Sequence, residues 1–215
     1  MSRPVLLVLA GVNGAGKSSV GGYLVERAGG TWFNPDTFAR ELAAAAGCDP
    51  EIANGAAWAE GIRRLDQAVA ARRNFAFETT LGGESVTARL MAACASHDVR
   101  VWYCGLTSAE LHIARVKARV AAGGHAIPES KIRERFTRSR VNLLRLMPRL
   151  SHLMVFDNSV EADAAGLIPD PLQVLELDRG RLRYPAVDDL EALRRTPQWA
   201  KPILESALRQ TRSRK

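Results

Sequence analysis

Eight residues near the start of the chain have the types and the spacing of a phosphate-binding loop. The loop reads GVNGAGKS at residues 11–18, which matches the pattern GxxxxGKS, and it follows an apolar run at residues 5–10. Glycines let successive backbone N–H groups turn inward around an anion, the lysine reaches the terminal phosphates of a nucleotide, and the serine hydroxyl can ligate Mg²⁺. The loop therefore predicts binding of ATP with Mg²⁺. The predicted cofactor-binding residues are Asn13, Gly14, Ala15, Gly16, Lys17, Ser18 and Ser19, with Lys17 also catalytic and Ser18 also the metal ligand.

Two carboxylates follow the next two apolar segments of the chain. Asp36 comes just after residues 31–34, and Glu78 comes directly after residues 74–77. Both segments are predicted strands, and the carboxyl ends of parallel strands meet at one edge of a sheet. Asp36 is therefore predicted to be the base that takes the proton of an attacking hydroxyl, or else the N-cap of a helix that begins at residue 37. Glu78 is predicted to hold Mg²⁺ through water or to hold the substrate, with a structural role as the alternative.

Basic residues are concentrated in one region of a chain whose formal net charge is +7. Residues 111–150 hold ten Lys/Arg and two acidic residues, and the rest of the chain is close to neutral. Arg115 and Arg119 share a helix face, and Arg135 lies on the next predicted helix. Because arginine suits phosphate geometry, we expect these arginines, as a group, to form a lid over the phosphates, with Arg115 among the residues that bind the nucleotide. For any single arginine, a solvated charged face is the alternative.

Apolar runs alternate with segments of helical periodicity along most of the chain. The predicted strands are residues 5–10, 31–34, 74–77, 99–104 and 153–156. Strands that alternate with helices form parallel sheets with right-handed crossovers. We therefore expect an α/β protein with the P-loop NTPase fold of the small-molecule kinase type. Its five-stranded parallel sheet is flanked by helices, and the arginine-rich helical lid spans about residues 109–147.

The C-terminal part has a different pattern. A predicted hairpin at residues 172–177 and 182–184 is followed by two short helices, at 188–195 and 198–209. We expect residues 1–165 to form the kinase domain. Residues 166–215 are expected to pack on the same domain as a hairpin and helix extension without chemistry of its own.

A long predicted helix at residues 51–73 supplies a third wall beside the two carboxylates. We expect the acceptor pocket to lie between Asp36, this helix and Glu78. Trp58 on this helix is expected to pack in the core rather than to stack on an acceptor. His125, in the Gly-Gly-His hinge of the lid, is expected to make loop hydrogen bonds rather than to catalyse.

Taken in chain order, these motifs resemble the zeta-toxin family of small P-loop kinases. The resemblance covers about the first three quarters of the chain. It rests on the loop at residues 11–19, Asn34-Pro35-Asp36, Phe77-Glu78-Thr79-Thr80-Leu81, Arg119 with Gly123-Gly124-His125 and Pro128, Arg135, and Asp157-Asn158-Ser159. The hinge looks like that of the chromosomal relatives, and Thr79 stands where the plasmid toxins tend to have glycine.

The resemblance implies an ATP-dependent kinase whose best-known relatives phosphorylate a sugar hydroxyl of UDP-N-acetylglucosamine. By this resemblance, Asp36 is the base and Glu78 is a carboxylate of the substrate or metal shell. Arg119 and Arg135 lie on the phosphates, and Asn158 and Ser159 lie near the adenine. A small-molecule hydroxyl acceptor is the implied partner, whereas an antitoxin partner has no support in the residues themselves.

Composition narrows the compartment and the partners. No run of residues is long enough to span a membrane, and the three cysteines form no CxxC pair, so we expect a cytoplasmic protein with neither a membrane nor a zinc site. Nucleic acid is not an expected partner, because the charge outside the lid is near zero. The lid charge nevertheless leaves a polynucleotide 5′-hydroxyl kinase as one alternative. An ATP-binding regulatory or interaction protein without catalysis is the other.

Overall fold

A six-stranded sheet forms the centre of the protein in the computed structural model, which describes residues 2–22, 25, 31–160 and 169–213. The strands are β1 (Val5–Ala10), β2 (Phe75–Thr79), β3 (Asp98–Gly105), β4 (His152–Asp157), β5 (Leu172–Asp178) and β6 (Arg181–Tyr184). Their order across the sheet is β2-β1-β3-β4-β5-β6. The first four are parallel, whereas β5 and β6 form a hairpin that joins β4 in antiparallel fashion.

Helices connect the parallel strands, as expected for βαβ units. They are α1 (Ser18–Gly22, with π-helical geometry), α2 (Pro35–Ala46), α3 (Pro50–Ala70), α4 (Glu84–Ala93), α5 (Ala109–Ala121) and α6 (Glu129–Leu146). Two further helices, α7 (Leu190–Arg195) and α8 (Lys201–Arg212), follow the hairpin. A short 3₁₀ turn, Met147–Arg149, follows α6. Within the described ranges, no helix combines the length and the apolar character needed to cross a membrane.

The predicted fold class is confirmed, and the sheet differs from the prediction in its strands. Residues 31–34 were expected to form a parallel strand, but Phe33 makes only one bridge, to Phe77 on β2. The segment is short because Asn34 and Pro35 begin a helix immediately after it. The sheet therefore has four parallel strands and an antiparallel hairpin rather than five parallel strands. The sequence also predicts a helix directly after the GVNGAGKS loop, at residues 18–28, of which residues 23, 24 and 26–28 lie outside the described residues. The expected domain boundary after residue 165 lies outside them as well.

The C-terminal helices share the core of the parallel sheet. Trp199 packs on Gly105 at the end of β3 so closely that a Cβ at this glycine would lie 2.3 Å from the indole ring. The indole Nε1 of Trp199 donates to Asp157 Oδ1 at 3.2 Å. Ile203 and Leu204 of α8 belong to the same buried cluster as the strands. Residues 172–207 thus complete the hydrophobic core at the β4 edge of the sheet.

The C-terminal half of α6 is fixed to the loop that follows β2. Ser139 Oγ donates to the Thr80 carbonyl at 2.6 Å, and Tyr103 OH on β3 donates to Ser139 Oγ at 3.0 Å. Asn142 Nδ2 donates to the Leu81 carbonyl at 3.0 Å. Buried hydrogen bonds of this kind specify one arrangement, because breaking one leaves an unpaired polar group. The anchored half of α6 therefore holds its N-terminal half at a defined place beside the GVNGAGKS loop.

Candidate functional site

The loop after β1 has the backbone conformation that its glycines predict. Gly14 and Gly16 have φ angles of 82° and 85°, which side-chain-bearing residues rarely adopt. A Cβ at Gly16 would also lie 2.5 Å from Asn158 Nδ2. That amide donates to the Ala15 carbonyl at 2.9 Å. Asn158, which the resemblance places near the adenine, therefore supports the loop from the β4 side. Ser19, two residues after Lys17, is exposed.

Glu78 joins the lysine and the serine of the loop. Its Oε2 accepts from Ser18 Oγ at 2.7 Å, and its Oε1 lies 3.4 Å from Lys17 Nζ. Lys17 and Glu78 are each only 7% exposed. Burying two charges is unfavourable unless they are paired, which explains their contact. A hydroxyl and a carboxylate side by side are the hard oxygen ligands that Mg²⁺ takes together with nucleotide phosphates, so Ser18 and Glu78 fit this ion.

Asn34 is a site residue whose role the sequence analysis did not identify. Its Nδ2 donates to Glu78 Oε2 at 3.2 Å, and its Oδ1 accepts from the backbone N–H groups of Asp36 and Thr37 at 2.9 and 3.2 Å. Asn34 therefore caps α2, and the alternative prediction that Asp36 is the cap is wrong because the helix begins at Pro35. An asparagine directly before a proline at the first helical position is a helix-start signal that the sequence already contained. Because Asn34 provides the cap, the Asp36 side chain makes no capping bond, and half of it is exposed.

Asn13 connects the loop to both helices of the predicted lid. Arg135 of α6 donates from Nη1 to Asn13 Oδ1 at 2.8 Å, and burial lowers the pKa of this arginine. The Nδ1 of His112, on α5, lies 2.9 Å from the Asn13 carbonyl. Because a carbonyl only accepts, Nδ1 carries the proton. Burial lowers the pKa of His112 to about 4, which keeps its ring neutral.

Arg119 lies on the side of Asp36 rather than on the loop. Its Nη1 is 3.6 Å from Asp36 Oδ2, and its Nη2 donates to the His125 carbonyl at 3.1 Å. The ring Nε2 of His125 lies 3.1 Å from Asn54 Nδ2 on α3, which links the hinge to α3. The structure thus places His125 in loop hydrogen bonds, and it places Arg119 with Asp36 at the edge of the site.

The remaining predicted residues lie at the β4 side of the loop. Arg115 Nη2 donates to the Val160 carbonyl at 3.0 Å. Ser159 Oγ bonds to Asp157 and accepts from the Thr107 N–H at 2.8 Å. Since β1 lies between β2 and β4, these residues and Glu78 are on opposite sides of the loop. The roles of Arg115, Asn158 and Ser159 in nucleotide binding stay predictions.

A cavity of about 390 Å³ brings the central residues together, and we call it the first cavity. Its wall includes Asn13, Lys17, Asp36, Glu78 and Arg135. Its opposite wall is α3, so the cavity lies between the three features that the sequence analysis named. Trp58 of α3 lines it with 55% of its surface exposed, which contradicts the expectation that this residue packs in the core. Its helix position turns the indole towards the cavity and solvent. The buried residues of α3 are Ala53, Ala57, Leu65 and Ala68.

The fold and the loop together define a P-loop kinase-like α/β domain. The sequence profile of the AAA_33 family, an AAA domain, matches residues 6–140. The chain therefore belongs to this AAA domain family.

Relatives and solved structures agree with this fold. An uncharacterized protein of Haemophilus influenzae is 33% identical over 89 residues, which cover 41% of this chain and 64% of that relative. The AvrRxo1-ORF1:ORF2 crystal structure with ATP is similar with a TM-score of 0.65 at 17% identity, over 91% of this chain and 64% of that one. The PezAT toxin–antitoxin structure from Streptococcus pneumoniae gives 0.54 at 14% identity, over 73% and 68%. The chain thus spans just under two thirds of the length of the first two proteins.

Proposed function

We propose that the protein is a Mg·ATP-dependent kinase that transfers the γ-phosphate to a hydroxyl of a small acceptor, a nucleotide sugar of the UDP-N-acetylglucosamine class. The observation that carries the proposal is the first cavity. One wall holds the phosphate-binding lysine Lys17 and the cation Arg135, and the half-exposed carboxylate of Asp36 also lines it. Phosphoryl transfer needs this combination, because catalysis consists of positioning the two oxygens and stabilising charge on the phosphoryl group between them.

The donor nucleotide would be held by the loop. Its backbone N–H groups and Lys17 bind the β- and γ-phosphates, and Ser18 with Glu78 holds Mg²⁺, which supplies positive charge to the phosphates when bound. When the nucleotide binds, Lys17 leaves its contact with Glu78 and contacts the phosphates instead. Arg135, held by Asn13, stabilises the transferring phosphoryl group with a preset guanidinium.

The acceptor would lie in the first cavity with its hydroxyl at Asp36. The Asp36 carboxylate accepts a hydrogen bond from this hydroxyl and takes its proton as the oxygen attacks the γ-phosphorus. The bond from the γ-phosphorus to the β,γ-bridging oxygen breaks, and ADP leaves with that electron pair. Asp36 suits this role because its side chain is half-exposed and free of helix capping.

The order of the motifs supports a zeta-toxin-like assignment, and the likeness to the PezAT fold agrees with it. The nucleotide-sugar acceptor comes from this resemblance. In this proposal, residues 1–165, which include the lid, form the kinase domain. The hairpin and the C-terminal helices complete the hydrophobic core of that domain.

A panel of acceptors tests the proposal directly. The purified protein is incubated with γ-labelled ATP and Mg²⁺ together with nucleotide sugars, free sugars, nucleosides or oligonucleotides. Label transferred to a nucleotide sugar supports the proposal. Transfer to oligonucleotide 5′-hydroxyls with a steep salt dependence would instead support the polynucleotide kinase that the lid charge suggests. ATP binding without ADP release from any mixture would favour a non-catalytic ATP-binding protein.

A further inference from the structure

A second cavity, of about 550 Å³, lies beside the first one. It is formed by α2, the N-terminal part of α3 and the hinge between α5 and α6. Half of the residues in its wall are alanine or glycine, namely Ala39, Ala43, Ala122, Gly123, Gly124 and Ala126. A cavity with such a wall keeps its volume open, and nothing in the kinase mechanism above uses it.

The two cavities share part of their walls. Asp36, Asn54, His125 and Ala126 line both of them. The contact between Asn54 Nδ2 and His125 Nε2, at 3.1 Å, lies at this common boundary. Because Asp36 belongs to both cavities, a molecule whose hydroxyl is at Asp36 in the first cavity can extend into the second.

The charge of the two cavities differs. Three basic and three acidic residues line the first cavity, and its Lys17 is already paired with Glu78. In the second cavity, Arg40 and Arg119 face a single carboxylate, Asp36. The second cavity is therefore the one with an excess of positive charge, which favours an anionic ligand group.

Arg119 has hydrogen-bonding capacity to spare. Its guanidinium carries five N–H donors. One on Nη2 reaches the His125 carbonyl, and Nη1 lies 3.6 Å from Asp36 Oδ2. The Nε–H of Arg119 is buried and has no acceptor among the described residues. Gly124 leaves room for this side chain, since a Cβ there would lie 2.7 Å from Arg119 Cγ. Arg40 uses one donor on Thr37 Oγ1 at 3.3 Å. Unused guanidinium donors beside an open cavity suit the oxygens of a phosphate group.

We infer that the second cavity binds a phosphate or diphosphate group of the acceptor, and that Arg119 and Arg40 recognise this group. The inference rests on the proposed kinase function and assigns the diphosphate of a nucleotide-sugar acceptor to a place in the site and to two recognising residues. It also moves Arg119 from the γ-phosphate of ATP, where the resemblance puts it, to the acceptor. Arg135 is then the lid arginine that serves the donor.

The test measures acceptor binding with the loop already filled. The protein is saturated with Mg²⁺ and the non-hydrolysable analogue AMP-PNP, and calorimetry compares pairs of compounds with and without phosphate. The pairs are UDP-N-acetylglucosamine against N-acetylglucosamine, nucleoside diphosphates against nucleosides, and sugar phosphates against sugars. At least one phosphate-bearing compound is expected to bind about tenfold or more tightly than its neutral counterpart, as hydrogen bonds to charged groups allow.

Variants assign the effect to residues. Arg119→Gln and Arg40→Gln should each weaken binding of the phosphate-bearing compound about tenfold and leave the affinity for AMP-PNP unchanged. Arg119→Lys should recover part of the loss. Lys117→Gln removes a charge from the same helix, where Lys117 pairs only with Glu129 at the surface, and should change neither affinity.

Three outcomes overturn the inference. Equal binding of every charged and neutral pair would show that the second cavity takes no anion. Loss of AMP-PNP affinity in Arg119→Gln, with acceptor binding unchanged, would return Arg119 to the donor phosphates. Equal losses in Arg119→Gln and Lys117→Gln would reduce the effect to general charge. Since these are binding measurements, phosphate-dependent binding without any transfer of label would leave the subsite standing and reject the kinase proposal instead.

Discussion

The donor side of the site, which consists of Lys17, Glu78, Asn13 and Arg135, is built differently from the acceptor side, which consists of Asp36, Arg119 and Trp58. On the donor side the charged groups are buried and bonded to one another: Lys17 and Glu78 are each 7% exposed. On the acceptor side the groups are open, and half of the Asp36 side chain is exposed to solvent.

This difference shows which half of the site is organised before substrate arrives. Buried hydrogen bonds hold the donor side in one geometry, so its charges are preset for a phosphate. The acceptor side has fewer bonds and depends on the ligand to complete it. If the proposed reaction is correct, we therefore expect the acceptor side to determine specificity. The following substitutions test the contrast from the largest expected effect to the smallest.

Lys17→Ala should abolish transfer, with a loss of turnover of at least about a thousandfold, because it removes a cation from the donor phosphates. Release of label from γ-labelled ATP measures the effect. Lys117→Ala, a surface lysine on α5, serves as the control and should behave like the unmodified protein. Residual turnover within tenfold of normal would show that the donor side does not depend on Lys17.

Asp36→Asn should reduce turnover at least about a hundredfold, because the amide orients a hydroxyl without taking its proton. Binding of AMP-PNP should be unchanged, since Asp36 belongs to the acceptor side. Steady-state turnover and nucleotide titration separate the two effects. Unchanged turnover would reject Asp36 as the base.

His112, which bonds the loop of the donor side, should make the unfolding free energy of the protein depend on pH. Its pKa of about 4 in the folded protein lies below the ordinary value of about 6.5, so the unfolded chain takes up the proton first as the pH falls. Its contribution is therefore complete above about pH 6.5 and is lost as the pH falls towards 4. Between pH 7 and 4.5 this amounts to about 2 kcal/mol of unfolding free energy.

Urea unfolding at both pH values measures this loss, and His112→Gln is the matched variant. Its amide N–H can still donate to the Asn13 carbonyl, but it does not titrate. The variant should lose about 2 kcal/mol less than the unmodified protein over the same interval. Identical pH dependence in the two proteins would show that His112 is not responsible.

Asn34→Ala should lower the free energy of unfolding by about 1 kcal/mol through loss of the α2 cap. Asn34→Asp keeps an oxygen that can cap α2, so it should lose less stability than Asn34→Ala. Because it places a second carboxylate beside Glu78, it should lower turnover further than Asn34→Ala does. Chemical denaturation and turnover measured on both variants distinguish the two contacts. If both variants kept the turnover of the unmodified protein, the bond from Asn34 to Glu78 would have no role in the chemistry.

Local patterns predicted most of the elements. The apolar run at Val5–Ala10 is β1, and the turn around Gly180 makes the expected hairpin. The first lid helix, Ala109–Ala121, begins where the predicted lid begins and ends just before Gly123 and Gly124. Each of these depends on residues close in sequence. The P-loop is equally local, because the positive φ of Gly14 and Gly16 follows from the motif itself.

Contacts between distant segments were not predictable from the sequence. The hairpin's pairing with β4 depends on which sheet edge is free, and the single bridge of Phe33 depends on where α2 starts. The same is true of the bonds from His112 and Arg135 to Asn13, which join three separate elements. Trp58 was placed in the core because large aromatic residues usually are, and only the tertiary structure shows that a cavity lies beside it.

The packing of Trp199 on Gly105 bears on how the protein is made. The family profile ends at residue 140, yet β4 has an unpaired edge until β5 arrives, and the core cluster lacks Trp199 and the apolar residues of α8 until the chain has passed residue 207. During synthesis, the nucleotide-binding loop is therefore complete long before the sheet behind it can close. A nascent chain that has passed residue 160 but not residue 178 presents the unpaired edge of β4, and until residue 207 it also exposes apolar core surface. This is the stage at which a chaperone would have most to protect.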